Sequence, residues 1–462
     1  DSELHTIGYS LTIVERSRAH IENIIVKGNT KTKDEVIIRE IPLKPGDVFS
    51  RDKVMAGLRN LYNLQYFSNI VPEPVAGAGE NLVNLVISVE ETSTTMLQLG
   101  MTFSGVSNAE DLPISLFFKW QNSNLSGKGR MLSAGVTAAK GEQSVDFSFG
   151  QNWIFGEPIQ ISESLSFFHE KSSSLVINML PNGLSNEETY YMAYDSIGTS
   201  LTSAVGRRWS PMVGVLTLSG GLTNTLQRND YDQSLYSPLD SGVNKYANRL
   251  GLKNSIFASF SVDARDLSYD PSKGWFASQR LTWYGLIPRF EQEFYLRSDT
   301  KLEGYFTLFN VPLFNDFWNF KGVLAFYTGF TMQFPLVGTT IPRSSMTYID
   351  GMFNARGWQD VSSFTRGRAM LSNRVEFRIP IFPGVIGIAG FFDFAAVKET
   401  PEKIFTDLSF NDFYFSFGPA LRFLIPQFPL HLLFSNKFRV IDGNVVWNKT
   451  WDFSLSFNMV NR

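Results

Sequence analysis

Two regimes of apolar and polar positions follow one another along the chain. In the first, residues 21–27 alternate as a strand and stop at Gly28-Asn29. Thr32-Lys33-Asp34-Glu35 has the spacing of a capping box and opens a short helix, which Pro42, Pro45 and Gly46 break. Ser50 can cap a second helix whose apolar positions Val54, Leu58, Leu61 and Leu64 recur on one face. Residues 67–71 and 82–90 then read as two strands around a Pro/Gly loop. The order strand, helix, helix, strand, strand predicts a small α+β module over residues 20–92.

Residues 93–462 show no convincing amphipathic helix. Their segments of about ten residues alternate with period 2, the pattern of membrane β-barrel strands. Trp451, Phe453, Leu455, Phe457 and Met459 share one face, opposite Asp452, Ser454, Ser456 and Asn458. Leu371, Asn373, Val375, Phe377 and Ile379 oppose Ser372, Arg374, Glu376 and Arg378. Sixteen such segments can be marked, the first near residue 94 and the last near 449, and an even number suits a closed antiparallel barrel. The longest connection, about 332–366, lies between the eleventh and twelfth segments and has no evident structure of its own, which makes it a functional or disordered loop.

Alternation alone does not separate a soluble sandwich from a barrel. Three features favour the barrel. The region is large for one soluble β core. Its apolar faces are rich in Phe (41 in the chain), and Trp120, Trp153, Trp209, Trp283 and Trp451 stand at strand ends, as an aromatic girdle requires. The opposite faces are small or charged and would fill a dry core poorly. Composition agrees, since charged residues are only 18% while aromatics reach 14%. The net charge of −3 and the lack of a basic block argue against nucleic acid as a partner. Cysteine is absent and the four histidines are scattered, so no disulfide, thiolate centre, metal site or cofactor is expected. The longest charge-free apolar stretch, 379–392, is broken by Pro380 and Pro383 and is too short for a membrane helix. Asp1 opens an acidic, polar stretch, so the leader of an exported protein would lie outside this sequence.

Several segments then resemble one family, the BamA-type outer-membrane protein insertases with their POTRA domains. Ile24-Ile25-Val26-Lys27-Gly28-Asn29 and Leu58-Arg59-Asn60-Leu61-Tyr62-Asn63-Leu64-Gln65-Tyr66-Phe67 are similar to the opening and the helix-to-strand passage of a POTRA repeat. Asn124-Leu125-Ser126-Gly127-Lys128-Gly129 looks like the family's N-[LF]-x-G-x-G turn. Asp263-Ala264-Arg265-Asp266 with Pro271-Ser272-Lys273-Gly274 looks like its D-x-R-D…P-x-x-G hairpin. Ala355-Arg356-Gly357-Trp358 falls where the family has [VI]-R-G-[FY], with Ala and Trp as departures. Glu376-Phe377-Arg378-Ile379-Pro380 and Phe391-Phe392-Asp393 are similar to the two strands after that loop. The family's last strand ends on a terminal aromatic, whereas this chain runs past Phe457 to Arg462.

The resemblance implies a mainly β protein: a 16-stranded antiparallel transmembrane β-barrel over 93–462, preceded by a small α+β POTRA domain over 20–92. Residues 7–15 look like the final strand of a preceding repeat, so 1–19 would be its residue and a linker, and the periplasmic arm would be shortened. The implied function is non-enzymatic assembly and insertion of β-barrel proteins through a weak seam between first and last strands. The implied setting is the outer membrane of a diderm bacterium, with the POTRA in the periplasm. The implied partners are the lipid bilayer, unfolded outer-membrane clients and accessory lipoproteins.

Three sets of site residues emerge. By phase, Glu376 and Asp393 lie on the lumenal faces of adjacent strands. Arg356 from the long loop could reach between them, making with Gly357 and Trp358 a lock of the loop to the barrel wall. Thr94, Leu97, Leu99 and Met101 on the first strand and Trp451, Phe453, Leu455 and Phe457 on the last would flank the lateral seam. Phe67, Ser68, Asn69 and Ile70 would form a POTRA edge strand open to an extended partner. Asp263, Arg265 and Asp266 read as a charge network. The competing function is a two-partner-secretion-type exporter or a pore. A barrel enzyme would have only His431 near Ser435 and Asn436, which cannot converge from positions four and five apart on one strand, so no catalytic residue is expected.

Overall fold

A computed structural model describes residues 18–103, 114–139, 141–179, 185–211, 213–268, 270–287, 293–313, 318–336, 339–351, 354–358, 361, 365–382, 385–424 and 430–457. The chain divides into two units, Asp1–Thr94 with Ser126–Lys128, and Thr95–Leu125 with Gly129–Arg462. The remnant strand expected at 7–15 lies outside the described residues.

The first unit contains β1 (His20–Lys27), α1 (Asp34–Ile38), α2 (Arg51–Leu64), β2 (Phe67–Ala76) and β3 (Leu82–Glu91). Its sheet order is β1-β3-β2, with β1 parallel and β2 antiparallel to β3. A parallel pair needs a long crossover, and the two helices supply it. Ile21, Ile37, Leu43, Leu61, Leu85 and Ile87 are almost completely buried between helices and sheet. Ser50 caps α2 by accepting the Lys53 N–H at 3.4 Å. The predicted capping box at Thr32 does not form. Lys33 is the N-cap of α1 and no side chain caps it. The backbone N–H of Thr32 instead donates to Glu91 at 2.6 Å. β2 is an edge of the sheet, turning Phe67 and Ile70 into the core and leaving Ser68 and Asn69 exposed. Its Pro72 and Pro74, which cannot donate a ladder bond, suit an edge position.

The second unit is a β meander. Its strands are β4 (Thr95–Phe103), β5 (Ile114–Asn122), β6 (Arg130–Ala139), β7 (Glu142–Gln151), β8 (Ile159–Met179), β9 (Ser185–Trp209) and β10 (Val215–Asp230). After the short helix α3 (Ser241–Lys245) come β11 (Gly251–Asp263), β12 (Gly274–Tyr284), β13 (Tyr295–Leu313) and β14 (Trp318–Pro335). The long loop holds β15 (Thr347–Tyr348) and β16 (Arg366–Gly367). The chain continues through β17 (Ala369–Phe382), β18 (Ile386–Lys398), α4 (Pro401–Thr406), β19 (Phe413–Phe423), β20 (Leu430–Ile441), β21 (Asn444–Trp447) and β22 (Asp452–Phe457). Wall strands adjacent in sequence pair antiparallel all the way round, with β14 joined to β17 across the loop. Because β21 and β22 both pair with β20, they are two pieces of one last strand, and among the described residues the wall counts sixteen strands, as expected. Neighbours inside the wall pair over most of their length, as β13 and β14 do from Tyr295 opposite Pro335 to Leu313 opposite Trp318, with one register shift between Thr307 and Phe309. The first and last strands differ. Among the described residues the sheet returns on itself only through Leu455 opposite Phe103.

The alternating faces turn as a membrane barrel requires. Leu99, Phe118, Phe147, Leu201, Ile256 and Phe306 point out and are exposed, Leu99 to 66%. Ser133, Asn254, Ser372, Ser416 and Ser454 are buried inside. Trp209, Trp283 and Trp451 are exposed at strand ends, whereas Trp120 and Trp153 are half-buried. Three expectations need correction. Two short helices occur where none was marked. The long loop has its own two-residue ladder, Thr347 opposite Gly367 and Tyr348 opposite Arg366. The strands β8 and β9 run to 21 and 25 residues, beyond the ten or so that cross a bilayer.

The bonds at Glu91 give a pH dependence. Its carboxylate accepts the N–H groups of Thr30, Lys31 and Thr32 at 3.0, 2.9 and 2.6 Å, and the Thr30 hydroxyl at 2.8 Å. Burial opposes ionisation, but these bonds outweigh it and hold the carboxyl down at about 2, against 4.5. A depressed carboxylate stabilises the fold above its unfolded pKa, and the contribution disappears as pH falls through the folded one. Protection of the Thr30–Thr32 amides in hydrogen exchange, corrected for intrinsic rate, should be constant above pH 4.5 and fall toward pH 2. In Glu91→Gln it should be low throughout; protection in the variant equal to the parent's would contradict this anchor.

Candidate functional site

The long loop enters the lumen and its tip lies against the wall at β17 and β18. The phase of β17 sets Arg374, Glu376 and Arg378 on one face, and the register with β18 sets Asp393 and Phe391 on the same face, opposite Arg374 and Glu376. The loop carries Arg356 into this patch. Its Nε and Nη2 donate to the two carboxylate oxygens of Asp393, both at 2.6 Å, and its backbone N–H to Oδ2 at 3.1 Å. Nη1 donates to Glu376 at 2.7 Å. The guanidinium lies 4.0 Å from the centre of the Phe391 ring. The Arg356 side chain is 2% exposed and that of Asp393 0%. Two carboxylates meet one planar fork with the bidentate geometry that lysine cannot supply.

The backbone fits the tip to its seat. Ala355 is left-handed at φ +47 and fully buried, a conformation that a β-branched residue would strain more than Ala does. Gly357 has φ +95, and a Cβ there would come within 2.5 Å of the Ser435 hydroxyl. Trp358 donates its indole N–H to the Phe415 carbonyl at 2.9 Å and meets Tyr414 edge-on. Ile349, Ala355, Val361 and Ala395 make a small apolar cluster under the tip. The loop is held higher up as well. Gln333, fully buried, donates to the Ser345 carbonyl at 2.7 Å, and Asp240 accepts the Ser344 N–H at 2.7 Å.

Further groups complete the patch, some of them marked in the sequence and some not. Arg378 donates to the second oxygen of Glu376 at 2.8 Å. Glu303 on β13 accepts from Tyr305 at 2.8 Å and from Arg265 at 2.9 Å, and Arg265 also forks onto Asp263. A cavity of about 30 Å³ lies between these groups, lined also by His431 and Arg374. The Asp263/Arg265 hairpin and the Arg356 seat therefore border one polar interior. Asp266 stays within its own hairpin, accepting from Ser272 and Lys273. The hairpin sequence signalled Arg265, but nothing local to Glu303 marked it.

Among the described residues one pair joins the two seam strands. Thr94 precedes β4, and among the described residues none of the last strand is registered opposite Thr94, Leu97, Leu99 or Met101. Leu455 faces Phe103, while Phe453, Leu455 and Phe457 all pair on their other side with Phe434, Leu432 and Leu430 of β20. Trp451 lies between β21 and β22 and is exposed. The edge residues Phe67, Ser68, Asn69 and Ile70 lie at the start of β2.

Comparison with known proteins bears on this geometry. A family model described as the Omp85 superfamily domain matches residues 124–459, and a POTRA model, described as a surface antigen variable number repeat, matches residues 19–92. A putative outer membrane protein assembly factor of Treponema pallidum (strain Nichols) is 36% identical over 501 residues, covering 100% of this chain and 60% of its own length. Outer membrane protein assembly factor BamA of Nitratidesulfovibrio vulgaris is 31% identical over 160 residues, 33% of this chain and 20% of that protein. This chain thus spans less than two thirds of the curated relatives it matches. Among solved structures, BamA from Haemophilus ducreyi lacking POTRA domains 1–3 has a TM-score of 0.52 at 15% identity, covering 95% of this chain and 84% of that one. CdiB from Acinetobacter baumannii has a TM-score of 0.61 at 12% identity, covering 95% and 74%. At such identities the structures share the fold alone.

Removing the guanidinium would strip buried Asp393 of its bidentate cation and leave Glu376 to Arg378, and breaking such a buried pair costs about 3–5 kcal/mol. Arg356→Ala should free the loop, read as new protease cleavage within residues 336–368, and Arg356→Lys should restore only part of the protection. Gly357→Ala, with its Cβ against Ser435, should behave like Arg356→Ala. An unchanged digestion pattern in all three would contradict the seat.

Proposed function

We propose that this chain, which belongs to the Omp85 superfamily, assembles and inserts β-barrel proteins into the outer membrane of a diderm bacterium. It does so with no catalytic residue and no cofactor, its POTRA repeat standing in the periplasm. The single observation that carries the reading is the contrast between long ladders joining wall neighbours, such as β13 with β14, and a junction of one described residue pair, Leu455 opposite Phe103. In hydrocarbon an unpaired strand edge has no water to bond. A weak seam therefore presents donors and acceptors that an incoming strand can satisfy by β-augmentation, and each strand added gives the client the pairing that the bilayer denies it. The names of the sequence relatives support the same reading.

The other assignments belong to this proposal. Arg356, Gly357, Trp358, Glu376 and Asp393 form a lock that holds the long loop against the wall, a structural rather than chemical role. Thr94, Leu97, Leu99, Met101, Trp451, Phe453, Leu455 and Phe457 flank the seam. The open stretch of β2, Phe67–Ser68–Asn69–Ile70, receives extended clients or an accessory lipoprotein, since Pro72 and Pro74 blunt the remainder of that edge. The domain limits of the reading are 20–92 for the POTRA and 93–462 for the barrel.

The test joins the two strands. With no native cysteine, Phe103→Cys with Leu455→Cys gives one disulfide across the seam. Liposomes holding the reduced protein should speed insertion of an unfolded barrel client, and oxidation should abolish the effect. Undiminished insertion by the oxidised protein would refute the seam. An exporter or pore, the competing reading, predicts large steady single-channel conductance instead.

A further inference from the structure

The last strand is broken at a definite place. Trp447 of β21 faces Phe438, but Asp452 of β22 faces Ser435, so Asn448, Lys449, Thr450 and Trp451 bulge across from Asn436 and Lys437 alone. The bulge is tied down by the Asn448 N–H, which donates to the Lys437 carbonyl at 2.8 Å, and by the Asn436 amide, which donates to the Thr450 carbonyl at 3.4 Å. Extra residues in one strand bend it and re-aim the segment beyond them. In this chain the re-aimed segment is β22, the strand that closes the barrel.

The same β20 residues touch the loop tip. The Lys437 ammonium donates to the Gly357 carbonyl at 3.1 Å, lies 5.1 Å from the centre of the Trp358 ring, and pairs with the Asp452 carboxylate at 3.2 Å. Ser435, whose hydroxyl limits position 357 to glycine, donates to the Asp452 carbonyl at 3.4 Å. Lys437 is mostly buried, so its charge is satisfied by the groups around it and not by bulk water. One cation thus joins the tip of the long loop to the first residue of the closing strand.

We propose that Lys437 is a positioning residue that couples the loop lock to the lateral seam. With Gly357 and Trp358 seated, the ammonium holds Asp452 and fixes β22 against β20 just past the bulge. When the tip leaves, the Gly357 carbonyl and the Trp358 ring leave the ammonium with it, the tie to Asp452 weakens, and β22 is free to part from β4. The loop is then a control on the opening of the seam. This rests on the reading of β4 and β22 as a seam, and goes beyond it in saying what governs the opening.

Spin labels at Leu99→Cys and Phe453→Cys report the width of the seam in lipid nanodiscs by double electron–electron resonance. Lys437→Met should raise the ratio of wide to narrow distances on the order of tenfold, within the range of ordinary coupling between sites. Arg356→Ala should do the same, and the double variant should widen the seam no further than either alone, because both remove one tie. Lys437→Arg, which keeps the charge, should restore the narrow population. Should Lys437→Met fail to fold, Asp452→Asn cuts the same tie from the other side and should widen the seam equally. Unchanged distances in Lys437→Met or Asp452→Asn, or widening in the double variant equal to the product of the singles, would overturn the coupling. Failure of the seam reading is separable. If the disulfide engineered between positions 103 and 455 leaves client insertion intact while Lys437→Met still widens the seam, the insertase reading fails and the coupling stands. If the disulfide abolishes insertion and Lys437→Met leaves the distances alone, the coupling fails by itself.

Discussion

Inside hydrocarbon every backbone N–H and C=O needs a partner within the protein, and the barrel wall is built round that requirement. Each wall strand from β4 to β20 meets it through ladders on both sides, except along the first edge of β4. The Phe, Leu and Ile on one face then have acyl chains as their solvent, and the Ser, Asn and charged residues on the other enclose the interior. The junction of β22 with β4 is where the requirement is met least, through one described pair. Among the described residues the sparse pairing of the wall is concentrated there, and the proposed function rests on that concentration.

The interior polar groups answer a second demand. Carboxylates at Asp393, Glu376, Glu303 and Asp263 sit where bulk water reaches poorly, and each has an arginine on it. Arg356 is unlike Arg378 because it arrives from the long loop and not from a wall strand. The pairing is therefore reversible in principle without unfolding a strand, although stripping Asp393 of its bidentate cation and leaving Glu376 to Arg378 is costly enough to keep the loop seated at rest. Lys437 extends this loop-borne arrangement to β22. Among the described residues, the best-buried ion pair and the sparsest strand pairing thus lie at two ends of one short chain of contacts.

Much of this architecture is legible from residue order because a strand's side-chain period is two, so a lipid-facing Phe and a lumenal Ser or Glu leave an alternating trace. Counting by twos along the same segments sets Glu376 and Asp393 on one face. The illegible parts depend on distant partners. The backbone of Thr32 is claimed by Glu91, which no local window contains, so a capping-box spacing forms no box. The extra length of β8 and β9 runs through Ser172-Ser173-Ser174 and past Glu187 and Glu188, residues that locally read as loop. Glu303 and Lys437 carry no motif and are recruited only by the register of β13 and β20. The bulge in the last strand shows only as a mismatch of register against β20, which a single strand's sequence cannot express.

The most direct measurement is amide hydrogen exchange of the whole chain in a lipid bilayer, read strand by strand. A weak seam predicts that the amides of Thr95–Phe103 and Asp452–Phe457 exchange orders of magnitude faster than those of β13 and β14 inside the wall. Equal protection in the two sets would mean a sealed barrel, and an insertase working through that junction would be contradicted.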